Sequence, residues 1–210
     1  YVQGELEWME WDDGNIANAF ARDSLLALEQ GGDLEAARQG YAGLLPRLSS
    51  RKAVDETEWR LAIVDYNLGS QAAAAERLQA LVARTPKDPT GSPVDPDYAR
   101  YFDDYGTLTV NMGRSARVDA RDSRTALKYF TQATELSWTG QAVAHYEVAR
   151  LVQGNVEAAL QSATQALAGE EALSTEQRLE LYRLLMELHR RTGDFDEARR
   201  FRDAYRALRG

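Results

Sequence analysis

The chain has 210 residues, 44% hydrophobic and 28% charged, with 25 Lys plus Arg against 33 Asp plus Glu for a formal net charge of −8. That composition excludes wholesale disorder and a collagen-like fibre, and it leads us to expect a soluble, mildly acidic protein with a sizeable core. With no cysteine in the chain, thiol nucleophiles, CxxC redox pairs, disulfide frameworks and sulfur-ligated zinc are excluded together, while the compartment stays unassigned.

No apolar run approaches the roughly 18 residues of a membrane-spanning helix, and Tyr1 to Glu5 lacks both the charged and the apolar region of a signal peptide. A chain that opens on Tyr1 instead of Met is expected to be a processed or trimmed product. Val2 to Asp12 has two readings: a helix leading into Gly14-Asn15-Ile16, or a strand in which Val2, Leu6 and Trp8 alternate with polar residues. The helix is preferred, because no second strand exists for pairing. From there a turn recurs: Gly32-Asp33-Leu34-Glu35-Ala36-Ala37, Gly69 to Ala74, Gly154 to Ala159 and Gly193 to Ala198. In each, Gly is expected to end one helix in the left-handed conformation, a polar residue to cap the next, and Ala five positions on to admit close helix approach.

Taking the turn glycines as 32, 69, 113, 154 and 193 gives spacings of 37, 44, 41 and 39 residues. Thr85 to Pro96 carries four of the five prolines and reads as a loop, with Asp95 or Asp97 capping the helix that follows. That helix places Tyr98, Phe102 and Tyr105 on one stripe and Tyr101, Tyr105, Leu108 and Met112 on an adjacent one, so it is expected to be broadly buried. Its partner, near Ala126, Phe130 and Ala133, begins late after Gly113, which implies a longer helix or an inserted loop across Arg114 to Ser123.

These residues resemble the tetratricopeptide repeat (TPR) family, whose unit of about 34 residues is a pair of antiparallel helices. Asp55 to Pro89 is the clearest copy, with Leu61-Ala62, Gly69, Ala74, Leu78, Leu81 and Pro86 at the family's positions. The unit carrying Tyr182, Leu185, Met186, His189, Gly193 to Ala198 and Phe201 is similar. The resemblance implies an all-α, right-handed superhelical solenoid of about eleven helices. Residues 1–13 would form a leading helix, and hairpins would lie near 15–50, 55–88, 97–138, 140–170 and 175–209 of one domain spanning 1–210.

Motifs for catalysis are absent from the sequence. His145 and His189 form no HExxH pattern, no phosphate-binding glycine loop occurs, and Asp12-Asp13 and Asp103-Asp104 lack calcium-loop spacing. Both histidines read as packed or part-buried residues, and the acidic pairs as helix ends or solvated faces. No enzyme activity, cofactor or metal is therefore expected. The 22 Arg against three Lys (Lys52, Lys87, Lys128) read as genome composition. Residues 1 to 35 carry nine acids and one base, whereas 178 to 210 carry nine arginines and six acids. This acidic head and basic tail suit either head-to-tail self-association or solvated faces with pairs such as Glu187-Arg191 and Asp203-Arg206. Net acidity without aromatic and basic interleaving argues against nucleic acid, and no membrane insertion is expected.

The family usually binds partners in a concave groove lined by each hairpin's first helix. Counted from the turn glycines, that groove would be lined by Arg22, Leu26, Trp59, Ile63, Tyr66, Asp103, Thr107, Val110, Val148, Arg183 and Glu187. Trp59, Ile63 and Tyr66 suit an interface anchor, but their spacing of four and three also marks a core stripe, so they face either the groove or the core. The predicted first helices hold no Lys, which does not support a carboxylate-clamping subclass. The expectation is a non-catalytic scaffold or adaptor presenting its groove to a protein or peptide. The alternatives are an accessory module of a larger enzyme or secretion assembly, and a sensor holding a small ligand or peptide among Trp59, Tyr66 and Tyr105.

Overall fold

The computed structural model describes residues 16–210, so the leading helix expected over 1–13 and the Asp12-Asp13 pair lie outside the described residues. Ten α-helices follow one another among the described residues: α1 (Ile16–Gln30), α2 (Leu34–Leu44), α3 (Arg51–Asn67), α4 (Gln71–Arg84), α5 (Ala99–Val118), α6 (Ser123–Thr134), α7 (Gln141–Leu151), α8 (Val156–Ala168), α9 (Thr175–Thr192) and α10 (Phe195–Arg209). Consecutive helices pair as hairpins, and extended pairing among the described residues is one isolated bridge, Lys87 with Pro93. The all-α hairpin class read from the sequence is the class observed.

Local chemistry sets the boundaries. Asp33, Ser50, Asp122, Asn155 and Asp194 each accept from a backbone N–H of the helix they open, and Ser174 forms a reciprocal capping box with Gln177. Gly69 and Gly193 end α3 and α9 at φ +83° and +81°, a region that costs other residues strain. Two glycines depart from the expected pattern. Gly154 does not adopt positive φ, since Val152 to Asn155 turns without it. Gly113 is no turn at all: α5 runs through it to Val118, and a Cβ there would lie 2.6 Å from the Phe130 ring. The turn comes at Asp119 to Asp122, where Arg121 takes φ +51°. The longer of the two readings, an extended helix, is what the chain does. Helix α3 also starts at Arg51, which brings Lys52 into a first helix and corrects the expectation that none holds Lys.

The helices cluster into two compact units that divide between Thr85 and Pro86, in the proline-rich segment. In the first, α1, α2 and α3 close around Leu25, Ala37, Tyr41, Leu44, Leu61 and Val64. In the second, Val110, Ala126 and Phe130 form one cluster, while Tyr146, Ala159, Ala163, Leu181, Leu185 and Phe201 belong to another. The alanines five positions after the turn glycines, Ala37, Ala74, Ala159 and Ala198, are all buried, which lets paired helices approach closely.

Candidate partner-binding surface

In the first unit, α3 buries Ala53, Thr57, Leu61 and Val64 on one side and Asp55, Ala62 and Asp65 beside them. Trp59, Ile63 and Tyr66 fall on the remaining arc: Trp59 and Ile63 are half-buried, and Tyr66 is 36% exposed. The stripe is therefore outside the buried core. The Arg60 guanidinium lies 4.6 Å from the Trp59 ring centroid and reaches Glu56 at 3.3 Å and Glu29 of α1 at 3.7 Å. Glu29 also accepts from the Tyr41 hydroxyl at 2.9 Å; burial first and the Glu29 charge second push the Tyr41 pKa up, so the phenol stays a donor. Arg22 pairs with Asp23 at 2.7 Å, and Leu26 is half-buried on the same helix. The two contacts to Glu29 tie α1 to α2 and to α3.

In the second unit the expected groove residues part company. Val110 is 3% exposed and packs with Ala126 and Phe130, because α5 rotates that side toward α6; it is a core residue and leaves the groove set. Val148 is half-buried against the same cluster. Asp103 accepts from the backbone N–H and hydroxyl of Thr139 at 2.8 and 3.0 Å, so it fastens the turn before α7. Thr107, Arg183 and Glu187 are exposed. Tyr105 is buried, and its hydroxyl accepts from Gln132. The expected Glu187-Arg191 and Asp203-Arg206 pairs also give way: Arg191 donates to the Gln153 carbonyl at 2.8 Å, and Asp203 pairs with Arg202 at 3.0 Å.

Three buried carboxylates escaped the sequence reading. Asp55 meets Arg84 at 2.6 Å and Arg51 at 3.6 Å, and Asp65 meets Arg38 at 2.7 Å and Arg77 at 3.0 Å. Glu147 meets Arg117 at 2.7 Å, Arg114 at 2.9 Å and Arg150 at 3.6 Å. The available signal was an acid set beside apolar neighbours on a first helix, as in Val64-Asp65-Tyr66 and Tyr146-Glu147-Val148. Tyr146 donates to Glu180 of α9, with its pKa raised chiefly by burial and then by that hydrogen bond. His145 is half-buried, and burial lowers its pKa from the ordinary 6.5. His189 packs against Phe201 with ring centroids 5.6 Å apart, the packed role expected of it. Among the described residues no group of three potential metal ligands occurs, and no helix is long and apolar enough to cross a membrane.

The fold is TPR-like. No protein-family model and no curated protein matches the sequence. Among solved structures, a MamA protein is 16% identical, with 91% of each chain covered and a TM-score of 0.51. A MamA double mutant is 13% identical, covering 93% of this chain and 96% of that one at 0.51. Nearly identical TPR-like repeats of a Podosopora anserina kinesin light chain are 17% identical, covering 90% and 93%, at a TM-score of 0.42. At these identities the likeness is one of fold.

Proposed function

We propose that the chain is a non-catalytic interaction scaffold that offers first-helix surfaces to a peptide or protein partner. The observation that carries this reading is the Trp59-Ile63-Tyr66 stripe, which stays outside the buried core while Arg60 holds the Trp59 ring from beside it. An indole and a phenol on a well-supported helix supply contact area at low cost in side-chain entropy, which is what interface anchors need. On this reading Arg22, Leu26, Trp59, Ile63 and Tyr66 form the binding face of the first unit, and Thr107, Arg183 and Glu187 are exposed positions of the second. Such a scaffold serves equally as an accessory module within a larger assembly.

The test is affinity capture from the source organism's lysate with the wild-type chain and a Trp59→Ala, Tyr66→Ala variant, their helicity compared by circular dichroism. A partner retained by the wild type and lost by a fully helical variant is the expected result. Equal capture by both proteins overturns the assignment of this stripe, and an intrinsic turnover of any trapped small molecule overturns the non-catalytic reading.

A further inference from the structure

Helix α10 turns Ala198, Phe201, Ala204, Tyr205 and Leu208 toward the core of its unit. Its opposite side is a stripe at spacings of four and three: Phe195, Arg199, Arg202, Arg206 and Arg209, all exposed, with Phe195 at 65%. Arg199 pairs with Asp196 at 3.4 Å and Arg202 with Asp203 at 3.0 Å, both at the surface, where such pairs are weak and exchange readily. Arg206 and Arg209 meet no carboxylate among the described residues. The stripe is thus a line of guanidinium groups with an exposed phenyl ring at one end.

The sequence holds a segment of matching chemistry. Residues 1 to 13 contain five acids (Glu5, Glu7, Glu10, Asp12, Asp13), no base, and two tryptophans, Trp8 and Trp11. Guanidinium groups bind carboxylates through paired hydrogen bonds and stack on indole faces, so an acidic and tryptophan-bearing segment satisfies both capacities of such a stripe. We infer that the Arg199-Arg202-Arg206-Arg209 stripe docks residues 1–13 of a second copy of this chain. The contact is heterologous, the N-terminal segment of one copy against the α10 stripe of another. Its steering is electrostatic and weakens as salt rises. It uses a different surface from the α3 stripe, so the two proposals fail separately.

The test is sedimentation velocity over a concentration series at low and high salt, using the whole chain. Four samples are compared: wild type, an Arg206→Glu plus Arg209→Glu variant, a Glu10→Arg plus Asp12→Arg variant, and an equimolar mixture of the two variants. Both arginines are exposed and meet no carboxylate among the described residues, so their reversal leaves the core packing intact, which circular dichroism checks. Association that rises with concentration in the wild type, falls about tenfold or more in each variant, and returns in the mixture is the expected result. Salt lowers the wild-type association. A wild type that stays monomeric, association untouched by either reversal, or a mixture that fails to restore it overturns the inference. So does a Trp8 and Trp11 fluorescence change that depends on Arg206 and Arg209 but not on concentration, since that places the segment on its own chain.

Discussion

Glu147 is 2% exposed, yet its carboxylate is matched by three guanidinium groups, two arriving from α5 and one from its own helix. A lysine in any of these places would bring one compact charge, whereas the planar guanidinium offers several donors in fixed geometry. The excess of arginine over lysine therefore has structural uses at Asp55, Asp65 and Glu147, although the sequence alone suggests nothing beyond genome composition. Removing the acid leaves positive groups gathered around an empty position. A fully buried pair broken in this way loses about 3–5 kcal/mol; here Arg114, Arg117 and Arg150 keep partial access to water, which reduces the loss to about 2–3 kcal/mol for Glu147→Ala. Glu147→Gln keeps the shape and one acceptor and is expected to lose less than half as much. Urea unfolding of the three proteins checks this, and a loss for Glu147→Ala as small as that of a surface ion pair, under about 0.5 kcal/mol, sinks it.

Helices α2 and α5 each carry a glycine that helix propensity alone would replace by alanine. Gly113 sits where α5 crosses α6, and a methyl group there would lie 2.6 Å from the Phe130 ring, so the usual gain in backbone entropy is outweighed by overpacking. Gly43, near the end of α2, faces open space. Gly113→Ala is expected to destabilise by about 1–3 kcal/mol, and Gly43→Ala to stabilise by up to about 0.5–1 kcal/mol. Thermal melts decide it: stabilisation by both substitutions would mean that α5 and α6 are not in the close contact described. The same pair shows what a sequence makes legible at this scale. Periodic apolar spacing and the Gly-polar-Ala turn mark the hairpins and the alanine contacts, because both act within a few residues. Gly113 looks identical to a turn glycine in one dimension, since its reason for being small is an aromatic ring 17 positions away. The aromatic stripe of α3 was visible as a pattern, but its exposure was not, because the buried Asp55 and Asp65 widen the inward arc in a way that counting apolar residues misses. Val110 fails for the converse reason: a position counted from Gly113 inherits the misplacement of that turn.

At the scale of the molecule, the hairpins gather into two compact units, each with buried clusters of its own, and the boundary falls beside Pro86. A repeat array is stabilised by the interfaces between neighbouring hairpins, so any set of hairpins that keeps its internal interfaces retains most of its stability. Residues 86–210 keep three hairpins, the Arg114, Arg117 and Arg150 contacts to Glu147, and the Tyr146 contact to Glu180 of α9. The fragment 86–210 is accordingly expected to fold alone, with a helical circular dichroism spectrum and a cooperative urea transition. A chain that unfolds only as one cooperative domain makes the opposite forecast, in which the isolated fragment does not keep its fold. Loss of cooperativity or of helicity in the isolated fragment would favour that single domain. A transition matching one phase of the full-length protein would instead establish two units joined at the prolines, each able to present its own first-helix surface to a partner.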